Sequence, residues 1–135
     1  MTRLTINLLG GFQVQRTGSP VSGFSTDKTR ALLAYLAVES TQSHRRQALA
    51  GLLWPDYPER SARTSLRTAL ANLRQVIGDH QAEPPFLLIS RQTIAINLDS
   101  DVQVDVTSFT RLLVSCVFAL AMLGLTVSTA AAQAL

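Results

Sequence analysis

The chain has 135 residues, of which 47% are hydrophobic and 16% charged, with one cysteine and a formal net charge of +3. That length suits one domain, or one small domain with a tail, whose core needs no metal or disulfide. The composition excludes disordered, fibrous and disulfide-rich secreted chains.

The charge is unevenly placed. Residues 1–78 hold ten Lys/Arg against four Asp/Glu, and residues 79–135 hold two against five. The basic half is nearly all arginine, Lys28 being its one lysine. Arginine suits bidentate contact with phosphate and guanine edges, so the basic half points toward a polyanion partner, with a solvated surface as the bland alternative. The start of the chain does not read as a targeting signal, because Gly10 and Gly11 interrupt its short apolar run.

In chain order, Leu4–Leu9 alternates apolar and polar residues, which is strand patterning. Gly10-Gly11 turns the chain, and Phe12–Gln15 alternates again with Phe12 and Val14 inward. A second turn at Thr17-Gly18-Ser19-Pro20 leads to a short third strand at Val21, giving an antiparallel meander. The period then changes. Thr26–Val38 has helical spacing, with Ser25 or Thr26 as cap and Asp27 suited to the helix dipole. Ser43 is the expected cap of a second helix, Arg45–Leu53, with Ala48, Leu49, Leu52 and Leu53 as its apolar positions. Trp54-Pro55-Asp56-Tyr57-Pro58 stops that helix.

Glu59–Ile77 is the longest clean helical pattern, with a core stripe of Ala62, Leu66, Ala69, Leu73 and Val76 and Gly78 as C-cap. Leu66, Leu70 and Leu73 are expected to pack on Leu32, Leu36, Leu49 and Trp54. The run to Pro84-Pro85 reads as loop. Phe86–Ile89 and Thr93–Asn97 then form a hairpin around Ser90-Arg91-Gln92. Leu98–Val106 is acidic and partly extended.

From Leu112 to Leu135 there is no charge in 24 residues. The expected division is a domain over 1–109 and an apolar tail over 110–135. Three readings fit the tail: a truncated or frame-shifted remnant of a helical domain, which is favoured because composition changes so abruptly; a membrane anchor; or a helix packed on the sheet. A helix over Phe109–Val127 is expected, making few contacts and leaving the third helix uncovered.

The third helix carries the sharpest chemical signal. Arg60, Arg63, Arg67 and Arg74 are spaced by 3, 4 and 7 residues, which places them within roughly a 60° sector of one face. Thr64 and Thr68 share or border that sector. Such a face fits a DNA major groove, where arginine grips guanine or phosphate and threonine meets a thymine methyl or phosphate. The bland alternative is a solvated amphipathic face. Arg45 and Arg46 open the second helix, where backbone N–H groups also favour phosphate. The two helices make a helix-turn-helix outline, and the hairpin after them has the layout of a wing, with Arg91 placed to enter a minor groove. Other candidates are weak. Gly10-Gly11 is no dinucleotide fingerprint, and His44 reads as a surface residue. Cys116 sits in an apolar run unsuited to a reactive thiol, and Asp99, Asp101 and Asp105 lack the order of a calcium loop. Trp54 reads as a core or interface residue.

Leu8-Leu9-Gly10-Gly11-Phe12, Lys28–Ala37, Leu52-Leu53-Trp54-Pro55-Asp56 and the Ala62–Arg74 block occur in that order. Together they resemble the DNA-binding domain of SARP-like (antibiotic-regulatory-protein-type) bacterial transcriptional activators, which are winged helix proteins of the OmpR/PhoB type. The resemblance covers roughly residues 3–109. It implies an α+β winged helix-turn-helix with an N-terminal antiparallel sheet, three helices and a C-terminal β-hairpin wing. It also implies sequence-specific binding of double-stranded DNA, the third helix entering the major groove through Arg60, Arg63, Thr64, Arg67, Thr68 and Arg74. Arg91 and Gln92 then stand at the wing tip over Phe86–Asn97. Lys28 and Arg30 fall in the family's first-helix block, as phosphate contacts or as packing. Such activators continue into a helical activation domain after a segment like Asp105–Leu113, and the apolar tail departs from that pattern. RNA polymerase and a second copy on DNA are further expected partners, in the cytoplasm. No cofactor, metal or small-molecule substrate is expected, nor an enzyme, since no nucleophile, base and orienting residue assemble. The alternatives are a protein-interaction module using the arginine face, and a regulator tethered to a membrane by the tail.

Overall fold

The structure, a computed structural model, describes residues 2–134, with side chains described through residue 122. The side chains at the end of the apolar tail therefore lie outside the described residues.

The alternating N-terminal run forms β1 (Leu4–Asn7) and β2 (Gln13–Arg16), antiparallel with Ile6 opposite Val14. Leu4, Ile6 and Val14 point into the core, as the alternation requires. The third strand, β3 (Ser19–Pro20), pairs with β2 just before the expected Val21. Three helices follow: α1 (Asp27–Val38), α2 (Arg46–Leu53) and α3 (Glu59–Ile77). Thr26 caps α1 by accepting a hydrogen bond from the Thr29 N–H. Gly78 ends α3 in the left-handed conformation at φ 71°, donating its N–H to the carbonyls of Arg74 and Gln75.

A one-turn 3-10 helix, Asp79–Gln81, stands where loop was expected. Beyond it, β5 (Leu87–Ile89) and β6 (Thr93–Ile96) make the hairpin, with Leu88 opposite Ala95. Finally β7 (Val102–Val104) runs parallel to β1, closing a four-stranded sheet of order β3-β2-β1-β7, and α4 covers Asp105–Ala134. The fold is thus a mixed α/β arrangement of helices and two small sheets.

One core joins these elements. Leu32 and Leu36 of α1, Leu49 of α2, Leu66, Leu70 and Leu73 of α3, and Trp54 all belong to it, as the apolar stripes anticipated. Three expectations are corrected. Val76 is only half-buried while Ile77 is fully buried, because the stripe of α3 drifts round the axis. In α2 the buried residues are Leu49, Ala50 and Leu53; Ala48 and Leu52 face outward. Ser43 does not cap α2. Instead His44–Arg45 forms a short strand, β4, on β6, and Arg45 takes the N-cap position without a side-chain bond.

His44 is correspondingly buried rather than on the surface. Its Nε2 lies 2.9 Å from the Glu39 carbonyl oxygen, and its ring packs edge-on against Tyr35. A strand residue between two core elements has no free face to offer solvent.

The start of α4 is tied to the sheet. The Asp105 carboxylate accepts hydrogen bonds from the Leu8 and Leu9 N–H groups at 2.9 and 2.8 Å, and from Val106 N–H at 2.7 Å. Burial pushes that carboxyl up, and the backbone N–H groups of Leu8, Leu9, Val106 and Asp105 itself more than reverse it, holding the pKa below the ordinary 3.8. From Ser108 to Met122 every residue is exposed.

Candidate nucleic-acid interface

The sequence argument rests on arginines from three separate segments, and the fold brings most of them to one place. α3 needs its apolar stripe against α1 and α2, which turns the adjacent sector, with Arg60, Arg63 and Arg67, toward solvent. Pairing of β4 with β6 carries Arg45 to Thr93 and sets the start of α2 beside the hairpin tip. The result is a groove of about 470 Å³ lined by Arg45, Arg46, Gln47, Arg63, Leu66, Arg67, Arg91 and Gln92. No acidic side chain is among those residues.

The hairpin tip is braced from α2. Arg46 donates its backbone N–H to the Gln92 carbonyl at 2.8 Å and its Nε–H to the Ser90 carbonyl at 3.0 Å. Within the turn, Ser90 Oγ lies 2.7 Å from Thr93 Oγ1 and accepts the Thr93 N–H at 2.9 Å. These bonds fix a turn that carries Arg91, whose side chain is free to face the groove. Arg46 therefore positions the tip as well as lining the groove.

The arginines differ in what already holds them. Arg63 meets Glu59 at 3.0 Å on the helix surface, a pair exposed enough for water and salt to screen. Arg45, Arg46, Arg60, Arg67 and Arg91 have no carboxylate partner among the described residues. Several like charges converging on one groove repel one another, and an anion there relieves the repulsion.

Six expected residues fall elsewhere. Arg74 is not at the groove: its Nε–H donates to the Asp79 carboxylate at 3.1 Å, and the Asp79 side chain is 1% exposed. Asp79 also accepts the Leu87 N–H at 3.0 Å, so the pair locks the end of α3 to β5. Thr64 and Thr68 border a different cleft, of about 430 Å³, with Lys28, Asp56 and Tyr57. Their hydroxyls donate to the carbonyls of Arg60 and Thr64, each at 3.1 Å. Arg60 is exposed one turn beyond the groove. Lys28 donates to the Leu53 carbonyl at the end of α2, and Arg30 pairs with Asp27 at 2.7 Å and lies over Phe24, so both serve packing.

Sequence reasoning missed Gln47, which shares the groove, and Asp79, which removes Arg74 from it. Gln47 follows the Arg45-Arg46 pair directly; a polar residue there was the available signal. Asp79 gave none, because its partner is set by the reversal of the chain at Gly78.

No protein-family model matches the chain. Over 86 residues it is 35% identical to the transcriptional regulatory protein EmbR of Mycobacterium tuberculosis, covering 64% of this chain and 22% of that protein. Over 84 residues it is 30% identical to the transcriptional regulatory protein MoaR1 of the same organism, covering 62% of this chain and 27% of the relative. A solved structure of M. tuberculosis EmbR in complex with a low-affinity phosphopeptide superposes with a TM-score of 0.61 at 30% identity, over 73% of this chain and 26% of that one. The chain spans about a quarter of the length of these relatives.

Proposed function

We propose that this chain, similar to the transcriptional regulatory proteins EmbR and MoaR1, is a SARP-type regulator that binds duplex DNA sequence-specifically as a winged helix-turn-helix. The observation that carries the proposal is the groove, where arginines from α2, α3 and the β5–β6 tip converge with no carboxylate among them. In this reading α3, about 28 Å long at 1.5 Å per residue, lies in the major groove by its amino-terminal half. Arg67 and Arg63 reach base edges or phosphates, and Arg60 the flanking backbone. Arg45 and Arg46, at the start of α2, meet phosphate through their guanidinium groups. The β5–β6 hairpin is the wing, with Arg91 and Gln92 on the minor groove or backbone.

Thr64 and Thr68 border the α3 face that enters the groove and serve as secondary contacts. Arg74 has a structural role and drops out of the DNA-binding set. The exposure of α4 from Ser108 to Met122 supports a division into a DNA-binding domain over 1–109 and a separate tail.

The test is selection from random duplexes with the purified protein, followed by titration of the enriched site against salt. Four or five phosphate-neutralising arginines give a slope of log K on log salt of about −3.6 to −4.5. Failure to enrich any sequence, with binding no tighter than to bulk duplex, contradicts the reading.

A further inference from the structure

The DNA-binding proposal leaves α4 without a role. Asp105 ties its first turn to the end of β1 and Val106 packs on the core, but every residue from Ser108 to Met122 is exposed. The apolar residues of this stretch follow a pattern. Val106, Phe109, Leu113, Cys116 and Leu120 succeed one another by 3, 4, 3 and 4 residues. That mean step of 3.5 keeps them within a sector of about 80°. Leu112 flanks this seam on one side and Val117 on the other. Phe109, Leu112, Leu113, Val117 and Leu120 are 48–66% exposed, and Cys116 is exposed with them. None of these residues has a nitrogen or oxygen in its side chain. The opposite side of the helix is mixed: Thr107, Ser108, Arg111 and Ser115 lie there with Val114, Phe118 and Met122.

The pattern selects an occupant. An apolar repeat of 3.5 residues stays in register along a second helix, each seam side chain entering a hole on its partner. Two copies of α4 offer each other the same seam. Arg111 stands opposite it, so the two guanidinium groups of a pair are held apart. The area is sufficient. Roughly 80 Å² from each of Phe109, Leu112, Leu113, Cys116, Val117 and Leu120 gives about 1,000 Å² over both copies, the lower bound for a specific interface. Lipid suits these residues less. The apolar window Asp105–Met122 has a mean hydropathy of 1.5, yet Asp105 is bonded to the Leu8 and Leu9 N–H groups and Arg111 lies inside the window. An arginine in hydrocarbon is costly.

The attachment sets the direction. α4 begins directly after β7 and runs on past Leu120. An antiparallel partner would drive its continuation against β1 and β7, where α4 joins the domain, whereas a parallel partner sets both domains at one end. The groove between α2, α3 and the hairpin is no part of that attachment and stays open. We propose that α4 pairs in parallel with α4 of a second copy along Phe109, Leu113, Cys116 and Leu120, joining two basic domains into a dimer.

The test uses no DNA, so its failure and that of the DNA-binding reading are distinguishable. The reduced full chain, sedimented to equilibrium at about 50 μM, should be a dimer. Leu113→Asp puts a charge in the seam and should weaken the dimer at least about tenfold. Ser115→Asp, on the opposite side, should leave it intact. Mild oxidation of the parent should link two copies through Cys116. In a Cys116→Ser background, Leu113→Cys and Leu120→Cys should cross-link at least about fivefold faster than Arg111→Cys and Ser115→Cys, which lie beyond disulfide reach across the pair. A monomer at this concentration, a larger assembly, or a chain that floats with phosphatidylglycerol vesicles instead of dimerising overturns the pairing. Equal cross-linking from both sides of the helix, or a dimer that Leu113→Asp and Ser115→Asp affect alike, overturns the seam.

Discussion

The two halves of α3 carry arginines on one side of the helix, yet hold them differently. Toward the amino terminus, Arg60 and Arg67 have no carboxylate partner among the described residues, and Arg63 has only the exposed Glu59. Toward the carboxyl terminus, Arg74 is bound to a carboxylate that is 1% exposed and that also receives a backbone N–H from β5. Residue type and azimuth are the same, so the difference comes from what the fold sets opposite each one. Helical periodicity identifies a face; it does not distinguish a free charge from one already used to join two elements.

The largest expected effect strikes both halves together. Leu66→Ala removes a side chain that is 1% exposed between α1, α2 and α3, and should destabilise the domain by about 2–5 kcal/mol in denaturant unfolding. A loss below about 1 kcal/mol would mean that this stripe does not hold the helix in place. Asp79→Ala acts on the carboxyl-terminal half alone. It strands the Leu87 N–H and the Arg74 guanidinium, and should destabilise the fold by about 1.5–3 kcal/mol. Unchanged stability would show that the Arg74–Asp79 pair is dispensable.

How much of this was legible from the residues varied with the range of the interaction. The bounds of α3 came out as read, because nineteen residues of amphipathic period lie between Pro58 and the positive-φ Gly78. The β5–β6 hairpin was legible for the same local reason. The parallel pairing of β7 with β1 was not, since Leu4 and Val102 meet across almost the whole domain and no turn chemistry announces it. Arg45 is the expected first residue of the second helix and His44 an expected surface residue, yet both are strand, because their partners Thr93 and Ile94 lie about fifty residues away. Within the candidate site, the arginines of the groove were anticipated individually. What joined them, the β4–β6 pairing and the Arg46 brace, is tertiary.

That brace gives a finer comparison between the helix and the wing. Arg46→Ala should weaken duplex binding by about 1 kcal/mol, and much of the loss should vanish when Arg91 is already alanine. The measurement is a double-mutant cycle, with a coupling of at least about 0.5 kcal/mol expected. Strict additivity would mean that Arg46 acts as an independent phosphate contact. Thr68→Ala, which removes an exposed hydroxyl bonded to its own helix, should change stability by no more than about 0.5 kcal/mol. A shift as large as that of Leu66→Ala would contradict the assigned stripe.

The smallest effect is local to the junction of α4. Asp105 has a lowered folded pKa, so its contribution is present above the unfolded value and is lost as pH falls through the folded one. The amide signals of Leu8 and Leu9 should therefore titrate with a midpoint below 3.8. A midpoint at or above that value would show that their N–H groups do not hold the carboxylate.

The contrast within α3 is tested most directly by measuring thermal unfolding and duplex binding on the same two proteins, Arg67→Ala and Arg74→Ala, at a temperature where both are folded. Arg67→Ala should bind about 1–3 kcal/mol more weakly, with relaxed preference at one base position and an unchanged melting temperature. Arg74→Ala should melt earlier and, while folded, bind within about twofold of the parent. The opposite pattern, with Arg67→Ala binding like the parent and folded Arg74→Ala losing affinity, would place the DNA on the wrong half of the helix.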